Sequence, residues 1–487
     1  MEAPKRPGGA LGPWNVADLP APPKFNFRNV IAVIGPGTIA LSMSIGSGEW
    51  LMGPAATVKF GTAVMWIVIV SVFFQVILNK EFARYTLYTG EPVLTGFMRT
   101  RPGPKLWGWL YPLLAILHVG WPGWAAAGAS CLFAALYGHL PNASVAADKS
   151  TMLLFGYLLF FACVVVVLFG GRIERVLEWA SWAMVLWIVV FLLIVDIFFV
   201  PGKAWVDVAG GFLKFGSIPR GPTGVDWALM GAFAAYSGAG GIGNCWITNW
   251  LRDKGFGMSK VIGFIPSAIG GKEVKLADVG SVFEPTGKNM SAFREWWKYL
   301  WIDQGVVFGI GAVVGMYLCV VVAYGVIPHG TDIGGLAAGA YQAKYLVQKI
   351  GRAMWFLTLI NGFWILFGTQ LSIVDGFTRV VTDHIWAFSE RMRRLGDVRY
   401  IYYPILIIFV IWGCIAINLA RPFALIVIGA NMAALIFVVA GVHILVVQHR
   451  FLPKEIRAPM WRQVVIVLQC IFFGFFVLMN IVKLIGG

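Results

Sequence analysis

The sequence is built from recurring apolar stretches of about twenty residues, each long enough to cross the roughly 30 Å hydrocarbon core of a bilayer as a helix. Lipid offers the backbone no hydrogen-bonding partners, so a chain of this kind folds as a helical bundle or a closed barrel, and stretches of this length select the helix. Eleven spans are expected, near 30–54, 62–88, 109–137, 151–170, 177–200, 226–250, 301–327, 353–377, 400–419, 422–447 and 463–485. Composition agrees. Of 487 residues 59% are hydrophobic and only 13% charged, against roughly a quarter charged in soluble chains. The expectation is one all-α polytopic membrane protein in contact with lipid.

The net charge of +15 raises the question of nucleic acid. Most of the basic residues sit in connectors between spans, which is the pattern set by membrane insertion, so no nucleic-acid partner is expected. The same distribution predicts a cytoplasmic N-terminus and, with eleven spans, a C-terminus outside, in a plasma (inner) membrane. Residues 1–29 are polar, rich in Pro and Gly, and lack the apolar core of a secretory signal; they read as a cytoplasmic tail. The cysteines, Cys131, Cys163, Cys245, Cys319, Cys414 and Cys470, lie in apolar stretches without a CxxC pair and read as small buried hydrophobes. No Walker loop, nucleophile elbow or HExxH is present, which argues against an enzyme, and no cofactor is expected. A channel is disfavoured by the lack of a selectivity-filter repeat.

Two spans carry polar interruptions. In span 1, Ser44, Gly46, Ser47 and Gly48 meet near mid-membrane and Glu49 follows at once. In span 6, Tyr236, Ser237, Gly238 and Gly240 belong to a run with four glycines in six residues. Glycine inside a helix costs roughly 1 kcal/mol relative to alanine, so both spans are expected to unwind locally. Unwound backbone at membrane depth is tolerated where it faces a cavity or a solute. If 30–200 (spans 1–5) and 226–447 (spans 6–10) are inverted repeats, with 463–485 an extra span, each repeat begins with an interrupted helix. Paired interruptions of this kind point to a secondary transporter with LeuT-type architecture. Close packing through small residues is the competing reading.

Glu49 is the sharpest single residue, because a carboxylate at this depth costs at least ~2.5 kcal/mol on insertion scales. It suits a metal cation, a coupling proton or a buried base; the alternative is a structural hydrogen bond. His118 in span 3 is a candidate proton relay, or a neutral hydrogen-bonded histidine. In span 8, Asp375 near Gln370 either lines a pathway or pairs with Arg379 one turn on. Asn361, Asn418 and Asn431 read as glue between helices, and Asp303 as an acid at the start of span 7. The long cytoplasmic loop 252–298 ends in the aromatic run Phe293 to Tyr299, read as an interfacial anchor, with a gating latch as the alternative.

At the interruptions the sequence resembles the amino acid–polyamine–organocation superfamily and, within it, the NRAMP branch. Gly46-Ser47-Gly48-Glu49-Trp50 through Phe60-Gly61 is similar to the NRAMP stretch Asp-Pro-Gly-Asn-Trp ending in Phe-Gly, and Ala83-Arg84 with Thr89-Gly90 matches that family's second span. The resemblance implies a LeuT-type fold of 5+5 inverted repeats and coupled transport of a divalent metal ion, driven by a proton or sodium ion. The family's metal-binding Asp falls on Gly46 and its Asn on Glu49. Its Met-Pro-His motif is replaced by Ser237-Gly238-Ala239-Gly240-Gly241, and the acidic residues of its third span fall on Pro122 and Ala125. Without the thioether, the resemblance points to a harder, hydrated cation. Amino-acid permeases of the same superfamily are also similar, through Gly46-Ser47-Gly48 with Pro54 and through Tyr236-Ser237-Gly238. This second resemblance implies an amino-acid or small-carboxylate substrate held by backbone N–H groups.

Overall fold

Apolar helices packed side by side account for nearly all of the computed structural model, which describes residues 5–169, 173–219, 224–263 and 279–486. Among the described residues nine helices are long and apolar enough to cross a membrane, and a tenth results if Phe27–Val33 and Pro36–Phe60, bent by 61°, form one span. Span 6 is instead two short helices, Trp227–Tyr236 and Ile242–Lys254. Spans 2, 3 and 8 lie inside the bundle, with 67, 78 and 72% of their most apolar windows buried, whereas spans 4, 5, 9 and 11 bury only 39, 39, 33 and 22%. The apolar side chains left over on those four helices have no protein to cover them, so lipid is their solvent. The chain is an integral membrane protein.

Several boundaries differ from the sequence reading for physical reasons. Span 3 begins at Pro104 and is interrupted between Val119 and Gly123, because Pro122 has no N–H to donate and its ring clashes with the preceding turn. Span 7 continues a helix that starts at Gly287, inside the expected loop, and runs 40 residues to Val326. Span 8 runs from Arg352 to Phe388, well past 377. Its polar second half stays helical because Asp375, Arg379 and Asp383 are neutralised by ion pairs within the protein.

The N-terminal tail is folded rather than trailing. Lys5–Arg6 pairs antiparallel with Trp14–Val16, which pairs parallel with Ser281–Val282 of the 252–298 connector. Arg99, between spans 2 and 3, donates to the carbonyls of Gly8 and Gly12 at 2.6 and 2.8 Å and to Glu91 at 2.8 Å, beneath the Trp14 ring. The aromatic run holds the same tail. Trp296 Nε1 donates to the Pro20 carbonyl at 2.8 Å and Tyr299 Oη to that of Pro23 at 3.1 Å. The run is therefore mainly a protein contact, with Phe293, Trp296 and Tyr299 buried.

Candidate functional site

Span 1 does not unwind. Helix Pro36–Ser44 passes into a π-helix over Ile45–Met52 and then into helix Gly53–Phe60. In the π-segment each N–H reaches five residues back, as Gly53 N–H does to the Gly48 carbonyl, so the main chain from Ser44 to Gly48 keeps its own partners. The unwinding expected here is replaced by a wide helical turn of the kind often found at functional sites. Its glycines serve close approach. A Cβ on Gly46 would stand 1.5 Å from Thr369 Oγ1, and one on Gly48 would stand 1.6 Å from the Tyr236 carbonyl oxygen. Gly48→Ala is therefore expected to push spans 1 and 6 apart at a cost of about 1–3 kcal/mol, read as a lowered melting temperature of the purified protein; an unchanged melt would contradict this packing.

The π-turn leaves Glu49 fully buried. Ser44 Oγ donates to Glu49 Oε1 at 2.5 Å, and Oε2 has no partner among the described residues. Span 7 covers it through Gly315, where a Cβ would lie 3.8 Å from Glu49 Cγ. The side chain of Ser47 lies outside the described residues.

Span 6 does break, at Ser237–Gly241, and glycine makes the break possible. Gly238, Gly240 and Gly241 have φ of 143, 71 and 43°, a region costly for side-chain-bearing residues. Span 2 donates to part of the freed backbone. Gln75 Nε2 donates to the Ser237 carbonyl at 3.2 Å, and Ser71 Oγ to that of Ala234 at 2.6 Å. From Gln75 a chain of amides runs through Asn244 and Asn79 to Gln304 and ends at Asp303. Sequence reasoning missed this chain. Its signal was Gln75 and Asn79 one turn apart on span 2. Asp303 does not cap its own helix. Its two oxygens accept from Gly35 N–H at 3.0 Å and Gly37 N–H at 2.9 Å, at the start of span 1.

Tyr236 gathers a second group. Its ring lies 5.7 Å from that of His118 and 6.1 Å from that of Trp124. Gln370 Oε1 accepts from the N–H of Ala125, beside Trp124, at 3.2 Å. Tyr236 Oη, Trp124 Nε1, Gln370 Nε2 and His118 Nδ1 are all buried without a partner among the described residues. Buried polar atoms are nearly always satisfied, and four unpartnered ones around one helix break single this region out as the candidate site. Trp124 was not anticipated.

Asp375 is not in this group. It forms an ion pair with Arg379 at 2.9 Å, and Arg379 also binds Asp253. Arg252 joins Asp253 and Asp383 at 2.8 and 2.7 Å, completing a network that ties the end of span 6 to span 8. Asn418 and Asn431 bond to carbonyls, Asn431 bridging to Ala228 of span 6 at 3.0 Å, whereas Asn361 is buried with both polar atoms unpaired among the described residues.

Side-chain contacts close the bundle on both sides of the span 6 break. On the side away from the tail, Trp50 Nε1 donates to the Gly339 carbonyl at 3.0 Å and Lys59 pairs with Asp226 at 2.8 Å. Above this pair lies an open recess of about 420 Å³ lined by Asp332, Arg421 and Phe423. On the tail side stand the Asp303 cap, the Lys254–Glu178 pair and the Arg379 network. Among the described residues no three His, Cys, Asp or Glu side chains are grouped to hold a metal ion, so a cation at Glu49 would need ligands of other kinds beside the carboxylate.

No protein-family model matches the chain, and no curated protein sequence matches it. Solved structures do. The chain is similar to the manganese transporter of Eremococcus coleocola, in a point-mutant form, with a TM-score of 0.60 and 14% identity over 95% of this chain and 88% of that one. The same transporter bound to an aromatic bis-isothiourea compound gives 0.59 at 14% identity, over 95 and 88%. Mhp1, a nucleobase-cation-symport-1 family transporter in a closed conformation with bromovinylhydantoin bound, gives 0.50 at 12% identity, over 93 and 92%. With its broken sixth span, its π-helical first span and this likeness along nearly its whole length, the chain is an all-α polytopic membrane protein with the LeuT-type fold of these transporters.

Proposed function

We propose that the chain is a NRAMP-related secondary active transporter that moves a small cation, with a divalent metal ion as first candidate, by alternating access. The observation that carries this reading is Glu49, a fully buried carboxylate with one oxygen unpartnered among the described residues, set beside the break of span 6. Oxygen ligands without a thioether suit a hard cation that keeps part of its water shell, such as magnesium or manganese. The fold shared with a manganese transporter supports the same class. In this reading 30–200 and 226–447 are the two repeats that rock against each other, with 463–485 outside them. The N-terminus is cytoplasmic and the C-terminus outside, in a plasma (inner) membrane, and a proton or sodium ion drives the cycle.

A second reading has an observation of its own. The orphaned donors Tyr236 Oη, Trp124 Nε1 and Gln370 Nε2 would suit the oxygens of an amino acid or small carboxylate. A thermal-shift screen of the purified protein separates the two, since a ligand that binds only the folded state raises its melting temperature. Magnesium or manganese is expected to stabilise it and amino acids are not. Stabilisation by an amino acid in metal-free buffer, with none by the metals, would overturn the cation reading.

A further inference from the structure

Span 5 runs from Ile173 to Phe199 and exposes much of its apolar surface, yet it carries acids on its protein-facing side: Glu178, paired with Lys254, and Asp196. Asp196 is fully buried, and neither carboxyl oxygen has a hydrogen-bond partner among the described residues. Its backbone carbonyl, not its side chain, accepts Trp205 Nε1 at 3.2 Å. A structural acid would show a cap, an ion pair or a hydroxyl donor, and among the described residues Asp196 shows none of these.

Its surroundings are set by span 7. A Cβ on Gly325 would stand 2.4 Å from Val200 Cγ1, which places Asp196, one turn earlier on span 5, about one turn earlier on span 7. Between that level and Gly315, which covers Glu49, lies Cys319. Its thiol is within electrostatic reach of both Glu49 and Asp196. The other titratable group of span 7 near Asp196 is Tyr317, whose hydroxyl is committed to the Trp205 carbonyl at 2.9 Å. Helix Gly202–Gly211 brings Lys203 and Asp207, which pair with each other at 2.6 Å at the surface. Span 1 brings Glu49, and span 8 carries its acids and Arg379 in the network already described. Lys349 is held by the Gly325 carbonyl at 2.9 Å, and span 6 brings Lys254, which pairs with Glu178. Among the described residues no base hydrogen-bonds or ion-pairs with Asp196.

We propose that Asp196 is a proton-binding site of the transport cycle, distinct from Glu49, on the face where spans 5 and 7 pack. An ionised carboxylate buried in the protein with no partner is costly by several kcal/mol, so the closed form holds the group as a neutral acid. A metal or sodium ion would need several oxygen ligands, and here one carboxyl stands with a thiol and an occupied phenol. The Trp205–Tyr317 pair, with rings 5.7 Å apart, covers this end of the two spans. Moving that cover admits water, and the proton leaves as hydronium while the carboxylate is hydrated. Through Cys319 the site adjoins the Glu49 region, so opening and closing of the same span links proton release to solute release. The coupling role rests on the transporter reading; the proton on Asp196 does not.

Infrared spectroscopy of the full-length protein in nanodiscs tests the proton directly. At neutral pH, where exposed carboxyls are ionised, a protonated carboxyl band that shifts in heavy water is expected in the wild type and in Glu49→Gln. It should be lost in Asp196→Asn and displaced in Asp196→Glu, which keeps a carboxyl should the amide variant fold poorly. In proteoliposomes with a trapped pH dye and an imposed manganese gradient, wild-type uptake should carry protons and Asp196→Asn should lose that proton flux. Spectra of wild type and both Asp196 variants that superimpose would overturn the proposal. If manganese does not move at all, the cation reading fails while the infrared result still decides the proton site.

Discussion

Glu49→Gln is expected to weaken magnesium and manganese binding by about a hundredfold, roughly 2.8 kcal/mol at 1.4 kcal/mol per decade. The substitution keeps shape and one carbonyl oxygen, the acceptor for Ser44 Oγ, but removes the group that can become a carboxylate when a metal ion binds. Among the described residues no second acid is grouped with it and a third ligand that could compensate, so the loss falls on one residue. Ser44→Ala should cost less, since it removes a neutral hydroxyl whose job is to orient Oε1. Calorimetric titration of the purified protein measures both. A Glu49→Gln variant that binds either metal as tightly as wild type would remove Glu49 from the site and shift weight to the donor cluster around Tyr236. The fold should survive, because an amide at a buried site is cheaper than an unpaired carboxylate.

Arg379→Ala is expected to have the largest effect on stability, about 3–5 kcal/mol. Arg379 is fully buried and holds Asp375 and Asp253 at once. Its removal leaves three acids, Asp253, Asp375 and Asp383, with Arg252 as their remaining guanidinium in the network. The attraction inside such a network barely repays the desolvation of its members, so breaking it costs far more than never having built it. Thermal unfolding in detergent reads the loss, and Asp375→Asn placed on top of Arg379→Ala should recover part of it. If Arg379→Ala melts with the wild type, Arg379 adds nothing to the joint between spans 6 and 8, and the Arg252–Asp383 pair and packing carry it. The same network ties a broken helix to an unbroken one on the tail side, so transport should be altered as well.

The bundle itself was legible because lipid imposes one period and one length on every span, and long apolar stretches report both. Span 6 was legible for a similar reason: clustered glycines have few other uses in a helix interior. Span 1 was not, because glycine allows close approach as readily as unwinding. Only the neighbours, Thr369 against Gly46 and the Tyr236 carbonyl against Gly48, show which use applies. Side chains that act across spans were hidden as well. Gln75 and Asn79 become meaningful once Asn244 and Gln304 face them, and Trp124 once its neighbour is Tyr236. Asp196 escaped notice because an acid near the end of a span resembles a boundary residue. Its lack of a partner among the described residues is visible only in three dimensions. Asp375 and Asp303 carried the right chemistry, but pairing and capping partners decided their roles.

The folded tail has a consequence for how the molecule is made. Leu19 N–H donates to Asn289 Oδ1 across 270 positions of sequence, and Trp14–Val16 waits for Ser281–Val282. On a ribosome those partners emerge only after six spans have been synthesised, so Trp14 must remain exposed or be shielded by a chaperone through most of insertion. Closure of this base plate is then a late event in biogenesis. A nascent chain halted before residue 279 should leave the segment open to protease, whereas the finished protein resists cleavage there.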